Sequence, residues 1–112
     1  MVKKYIPEQG DIVYLDFNPT LGHDQKGNRP GIVVSKSIFN RYTNLVYVCP
    51  IISNDNEFPT HYKLKDTKKI YGSVLCEHMR SIDFETRNIK FVEKASDNDL
   101  LSIMMLINAC IE

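Results

Sequence analysis

Alternation of apolar and polar positions opens the chain with a strand. Asp11-Ile-Val-Tyr-Leu-Asp-Phe17 is β-branched and aromatic and is bounded by Gly10 and by Asn18-Pro19. Ile32 to Ser35 reads as a short buried strand. Leu45-Val-Tyr-Val-Cys49 with Pro50-Ile-Ile52 gives a third, in which Pro50 marks an edge, a bulge or a bend. Polar Ser53-Asn-Asp-Asn-Glu57 then forms a loop. His61 to Leu64 and Ser73 to Cys76, separated by a lysine-rich turn, and Ile89 to Val92 complete six short strands with close turns, which predicts a small antiparallel barrel.

The period changes at Ser96. Ser96-Asp-Asn-Asp99 has the form of an N-cap followed by acidic residues in the first turn, where the helix dipole favours negative charge. Leu100, Ile103, Met104, Ile107 and Ile111 then form an apolar stripe at helical spacing that would close the barrel. Leu101 and Met105 form a second, narrower stripe, either further core or a seam with a partner. The expected fold class is mainly β with a C-terminal α-helix, in a single domain over residues 1–112, and neither a repeat nor a linker interrupts it.

Composition narrows the function classes. The chain is 43% apolar and 25% charged, and its 14 basic and 14 acidic residues cancel, so no global positive field marks it as a nucleic-acid binder and any such contact must be local. Lys63, Lys65, Lys68 and Lys69 crowd one segment, either a basic face or a solvated loop. Cys49, Cys76 and Cys110 are odd in number and widely spaced, which predicts buried small hydrophobes in a reducing compartment and neither disulfides nor a metal site. No apolar run approaches membrane-spanning length, and Met-Val-Lys-Lys-Tyr at the start lacks the apolar stretch of a leader, so a cytoplasmic location is expected.

The chemistry concentrates in Gly22-His-Asp-Gln-Lys-Gly-Asn-Arg-Pro30, which runs straight into Gly31-Ile-Val-Val34. Pro30 has a fixed φ and would hold Arg29 at the mouth of a strand, where a planar five-donor guanidinium suits a phosphate better than an ammonium does. His23, Asp24 and Gln25 place a titratable group, a carboxylate and an amide nearby. The plainer reading is a polar loop with a solvated arginine. Phe39, Tyr42, Tyr47, Phe58 and Tyr62 offer faces on which unpaired bases could stack, although most belong to a core of this size.

With Gly10-Asp11-Ile-Val-Tyr-Leu-Asp-Phe17, Asn18-Pro19-Thr20 and the Gly22 to Pro30 loop, the chain resembles the MazF/PemK family of toxin endoribonucleases. Val48-Cys-Pro-Ile-Ile-Ser53, Phe58-Pro-Thr-His61 and Gly72-Ser-Val-Leu-Cys-Glu-His-Met-Arg-Ser-Ile-Asp83 look like its later blocks. The resemblance implies an SH3-like antiparallel β-barrel of the CcdB/MazF type that forms a homodimer. It also implies sequence-specific, metal-independent cleavage of single-stranded RNA without a cofactor, the ribose 2′-OH attacking its neighbouring phosphate. A cognate antitoxin with an acidic tail is the implied partner.

Carried over by position, Arg29 would stabilise the charge building on the phosphorane, and Asp24 stands where relatives have glutamate. Ile52 occupies a position where the family commonly has threonine, so the hydroxyl of adjacent Ser53 is the candidate replacement. Gln25, Lys26, Asn28 and His23 in the loop, with His78 and Arg80 in the later block, are the candidate RNA contacts. Two other readings share the fold: a binding-only toxin of the gyrase-poison type, which relies on a tryptophan absent here, and an inactive SH3-like interaction module.

Overall fold

The computed structural model describes residues 4–17, 28–54 and 56–112, so His23, Asp24, Gln25 and Lys26 lie outside the described residues. Strands β1 (Asp11–Asp16), β2 (Asn28–Val33), β3 (Leu45–Ile52), β4 (His61–Lys63), β5 (Ser73–Leu75), β6 (Arg80–Asp83) and β7 (Lys90–Lys94) are joined by helix α1 (Ser37–Thr43), and α2 (Asp97–Ile111) follows β7. The sheet runs β4-β5-β3-β2-β1-β7, with β6 on β3, and the strand pairs are antiparallel. The expected class, mainly antiparallel β with a C-terminal helix, is the one observed, although the end strands do not pair with each other among the described residues and the sheet is not a closed barrel.

Alternation along β1 explains the layering. Ile12 enters a core cluster with Ile32, Ile51, Val74, Ile103 and Ile107 beneath α2, while Val13 and Leu15 enter the opposite cluster with Phe17, Val33, Val46, Val48 and Ile82. One strand therefore supplies both faces of the sheet. On α2 the Ser96 hydroxyl accepts from the Asp99 N–H at 3.0 Å, as the cap motif predicts, and Ile103 and Ile107 are buried. Ile111, in the last turn of α2, departs from the expected stripe and stands 68% exposed. Leu101 and Met105 face outward, and Cys110 is exposed, unlike buried Cys49 and Cys76. No described helix is long and apolar enough to cross a membrane.

Pro50 lies inside a central strand, not at an edge. Tyr47 bonds toward β2, its carbonyl accepting from Val34, so by alternation the nitrogen of Pro50 faces the opposite edge. There it falls between the stretch paired with β6, ending at Val48, and the stretch paired with β5, starting at Ile51. A missing N–H at that handover interrupts neither ladder.

Two elements depart from the expected pattern. α1 is short and rich in poor helix formers, and tertiary bonds hold it. Asn40 is buried, its Nδ2 donates to the Pro7 carbonyl at 2.7 Å, and its Oδ1 accepts from Ser35 Oγ at 2.6 Å. Asn44, at φ 63°, ends the helix in the left-handed region. β6 buries only Ile82, so its alternation is too brief to register as a strand.

Candidate functional site

Arg29 and Asn28 are exposed at the start of β2, opposite Leu15 and Asp16 of β1. Gly31 pairs with Pro50, and continuing that register sets Arg29 across from Ile52. Ile52 pairs with Ser73, which pairs with Lys63. Directly opposed residues share a face, so Arg29, Ile52, Ser73 and Lys63 form one row across four strands. At its Arg29 end lies a cleft of about 350 Å³, lined by Arg29, Pro30, Ile51, Ile52, Ser53, Asn54 and Tyr71. Arg29 and Ser53, the two residues singled out for phosphate chemistry, thus share a cleft. A guanidinium fork and a hydroxyl lining one cleft can hold a phosphodiester and offset charge developing on its oxygens.

Ser53 also lines a second cleft of about 290 Å³, with Glu57, Phe58, His61, Lys63, Gly72 and Ser73. His61 on β4 places Nε2 2.7 Å from Glu77 Oε2, and Thr60 Oγ1 donates to Glu77 Oε1 at 2.6 Å. Burial pushes the Glu77 carboxyl up, but hydrogen bonds from Thr60, the backbone and His61 outweigh it and hold the group below its ordinary value. A carboxylate only accepts, so the His61 Nε2–H donates to it and the ring is fixed in orientation.

Tyr71 reaches the first cleft because Glu93 on β7 organises the loop before it. The carboxylate accepts the N–H groups of Lys68 at 3.0 Å, Lys69 at 2.9 Å and Ile70 at 2.8 Å. Burial raises the Glu93 pKa, yet these three backbone donors carry it below the ordinary range. Gly72 follows at φ 143°, and a Cβ there would sit 2.3 Å from the Ile52 carbonyl oxygen, so only glycine lets this loop lie against β3.

The remaining candidates are dispersed. Arg80 on β6 stacks its guanidinium 5.8 Å from the centre of the buried Phe17 ring, and that ring fills the space left by the absent side chain of Gly31. His78 is exposed in the 3₁₀ turn Cys76–His78, 3.6 Å from Glu77, and lines neither cleft. Burial pushes the Cys49 and Cys76 thiols up to about 12, which leaves them unreactive. No described trio of His, Cys, Asp or Glu is grouped to hold a metal ion. Sequence reasoning did not assign Glu77, Glu93 or Tyr71 to the site. Glu77 had a signal in its place beside His78 in a recognisable block, whereas Glu93 and Tyr71 act through contacts that no local pattern displays.

The pattern of the PemK-like, MazF-like toxins of type II toxin–antitoxin systems matches residues 8–111. The chain is 29% identical over 111 residues to the endoribonuclease toxin MazF of Escherichia coli K12, covering 99% of each. It is 32% identical over 120 residues to the endoribonuclease toxin ChpB of the same strain, covering all of both. Among solved structures, MazF of Deinococcus radiodurans superposes with a TM-score of 0.85 at 30% identity, covering 96% of this chain and 98% of that one. A MazE–MazF structure from the same organism superposes at 0.83 with 27% identity, covering 96% of this chain and 97% of that one.

Proposed function

The chain belongs to the family of PemK-like, MazF-like toxins of type II toxin–antitoxin systems, and from that membership we propose that it is an endoribonuclease cutting single-stranded RNA. The observation that carries the reading to this chain's own residues is the shared cleft of Arg29 and Ser53. A phosphodiester seated there has its non-bridging oxygens against the guanidinium fork and the Ser53 hydroxyl. The ribose O2′ then attacks phosphorus, the O2′–P bond forms as the P–O5′ bond breaks, and the products are a 2′,3′-cyclic phosphate and a 5′-hydroxyl. The O2′ proton leaves to a base and the O5′ oxygen gains one. Asp24 is proposed as the base from its place in the loop. Gln25, Lys26, Asn28 and His23 are proposed as RNA contacts, and Arg80 as a cation further along the same face.

A cognate antitoxin is part of the proposal, supported by the MazE–MazF structure of the relative, and a homodimer and a cytoplasmic location complete it from family membership. The outward stripe of Leu101 and Met105 is the proposed seam. Met105→Lys should halve the mass in solution, and an unchanged mass removes the stripe from the interface. No observation of the structure favours a binding-only toxin or an inert module.

The activity is tested by incubating the protein, with EDTA present, with a long unstructured RNA and a DNA of equal sequence, then mapping cut ends by primer extension. Discrete cuts in RNA alone, falling about 10²- to 10³-fold in Arg29→Ala, are expected. Arg29 is exposed, so the variant should keep its stability within about 0.5 kcal/mol. Intact RNA, or equal cutting by the variant, overturns the assignment.

A further inference from the structure

The second cleft is not explained by phosphate chemistry. Glu57 lines it and the Glu77 carboxylate stands behind His61, so its acidic groups oppose an anion. Lys63, the cation of its lining, stands on the row that leads to Arg29. The cleft holds an aromatic face instead. Phe58 is 58% exposed, and the His61 ring lies 5.4 Å from it at an interplanar angle of 46°. Glu77 holds the second ring, and the two rings form a corner that lines the cleft.

We propose that this corner is a nucleobase subsite. Phe58 stacks one unpaired base, Glu57 accepts from the base's exocyclic amino group, and Lys63 holds the sugar–phosphate on the way to Arg29. The inference rests on the proposed RNA cleavage and adds to it a residue-level source of sequence preference. From β2 to β4 the row crosses three strand spacings, roughly 14 Å, so the subsite lies a few nucleotides of extended strand from the scissile phosphate. Ser53, on the wall of both clefts, makes the path between them continuous. An acceptor facing the exocyclic position favours the amino group of adenine, cytosine or guanine over uracil, whose exocyclic groups are carbonyl oxygens. Aromatic stacking alone tolerates every base, so discrimination comes from the polar wall and affinity from the ring.

The test compares cut-site motifs for the unaltered protein, Phe58→Ala, Phe58→Tyr and Glu57→Gln on one long RNA. The expected motif excludes uracil at one position set apart from the cut. Phe58→Ala should lower kcat/KM on the preferred sequence roughly 5- to 150-fold and relax that position, while Phe58→Tyr keeps the motif. Glu57→Gln should admit uracil there, because an amide can donate to its carbonyl. An unchanged motif in Phe58→Ala and Glu57→Gln, or a uniform loss at every site, overturns the subsite. If the unaltered protein leaves RNA intact, it is the cleavage reading that fails. The subsite is then decided by titrating the protein and Phe58→Ala with 2′-O-methyl oligonucleotides that differ at single bases, and equal affinities overturn it.

Discussion

The Tyr62 hydroxyl donates to Asp99 Oδ1 at 2.6 Å and ties β4 to the first turn of α2. Asp99 is fully buried and also accepts from the backbone of Asp66 at 3.0 Å and Lys65 at 3.3 Å, so one carboxylate closes the helix start, the strand and the loop after it. Burial and then the bond to Asp99 push the Tyr62 phenol up to about 12. Asp99→Ala leaves the Tyr62 hydroxyl and the Lys65 and Asp66 N–H groups without this partner and should cost about 1–3 kcal/mol in urea unfolding. The Tyr62 phenol should then titrate at lower pH by ultraviolet absorbance. An unaltered urea midpoint would show that the donors find other partners.

Under the proposed mechanism, Ser53 supplies the hydroxyl that Ile52 lacks. Ser53→Ala should therefore lower kcat/KM for RNA cleavage by about 10- to 100-fold, the scale of one hydrogen bond to a charged group. Ile52 shares the Arg29 row, so Ile52→Thr in the Ser53→Ala background should recover part of that loss. Wild-type cleavage rates in Ser53→Ala would leave Ser53 as a wall of the clefts only.

Gly31 is required by its neighbours, and its strand dihedrals are ordinary. A Cβ there would come within 2.8 Å of Phe17 Cζ and 3.1 Å of the Cys49 carbonyl oxygen. Gly31→Ala should destabilise by about 1–3 kcal/mol through this overpacking and shift the Phe17 ring from under Arg80. Thermal unfolding reads the first effect. A variant as stable as the parent would mean that the Phe17 ring moves aside freely.

Acid should loosen the Tyr71 loop before it unfolds the sheet. The folded pKa of Glu93 is lowered, so its stabilisation is complete above the unfolded carboxyl value and is lost as pH falls through the folded one. Hydrogen exchange at Lys68, Lys69 and Ile70 should accelerate below about pH 4.3, relative to the intrinsic rate, and Glu93→Gln should show that fast exchange at neutral pH. Equal protection in Glu93→Gln would assign the loop's order to other contacts.

What was legible in the chain was what repeats locally. The alternation of β1 and the Ser96 cap each encode their structure within a few residues, whereas β2 starts at Asn28 and pairs Arg29 and Pro30 inside the strand expected only from Ile32. α1 and β6 were not legible because their reasons lie elsewhere. Asn40 is satisfied by Pro7, and β6 exists because β3 offers it an edge. The site divides the same way. Arg29 and Ser53 were readable as chemistry, but their common cleft depends on the β2–β3 register, and the His61–Glu77 pair on the approach of a strand to a distant turn. Pro50 was visible as an irregularity, and only the two partners along one edge of β3 explain why a central strand accepts it.

That shared strand also sets when the proposed site can form. β3 takes β2 on one edge and β5 and β6 on the other, and both clefts are walled by residues at its end and by Gly72 or Tyr71 from later in the chain. A growing chain that has released only its first half has Arg29 but no cleft around it. Such non-local pairing places folding on the millisecond-to-second scale. Under the proposed function, the site is thereby withheld during synthesis and arrives only with the completed fold.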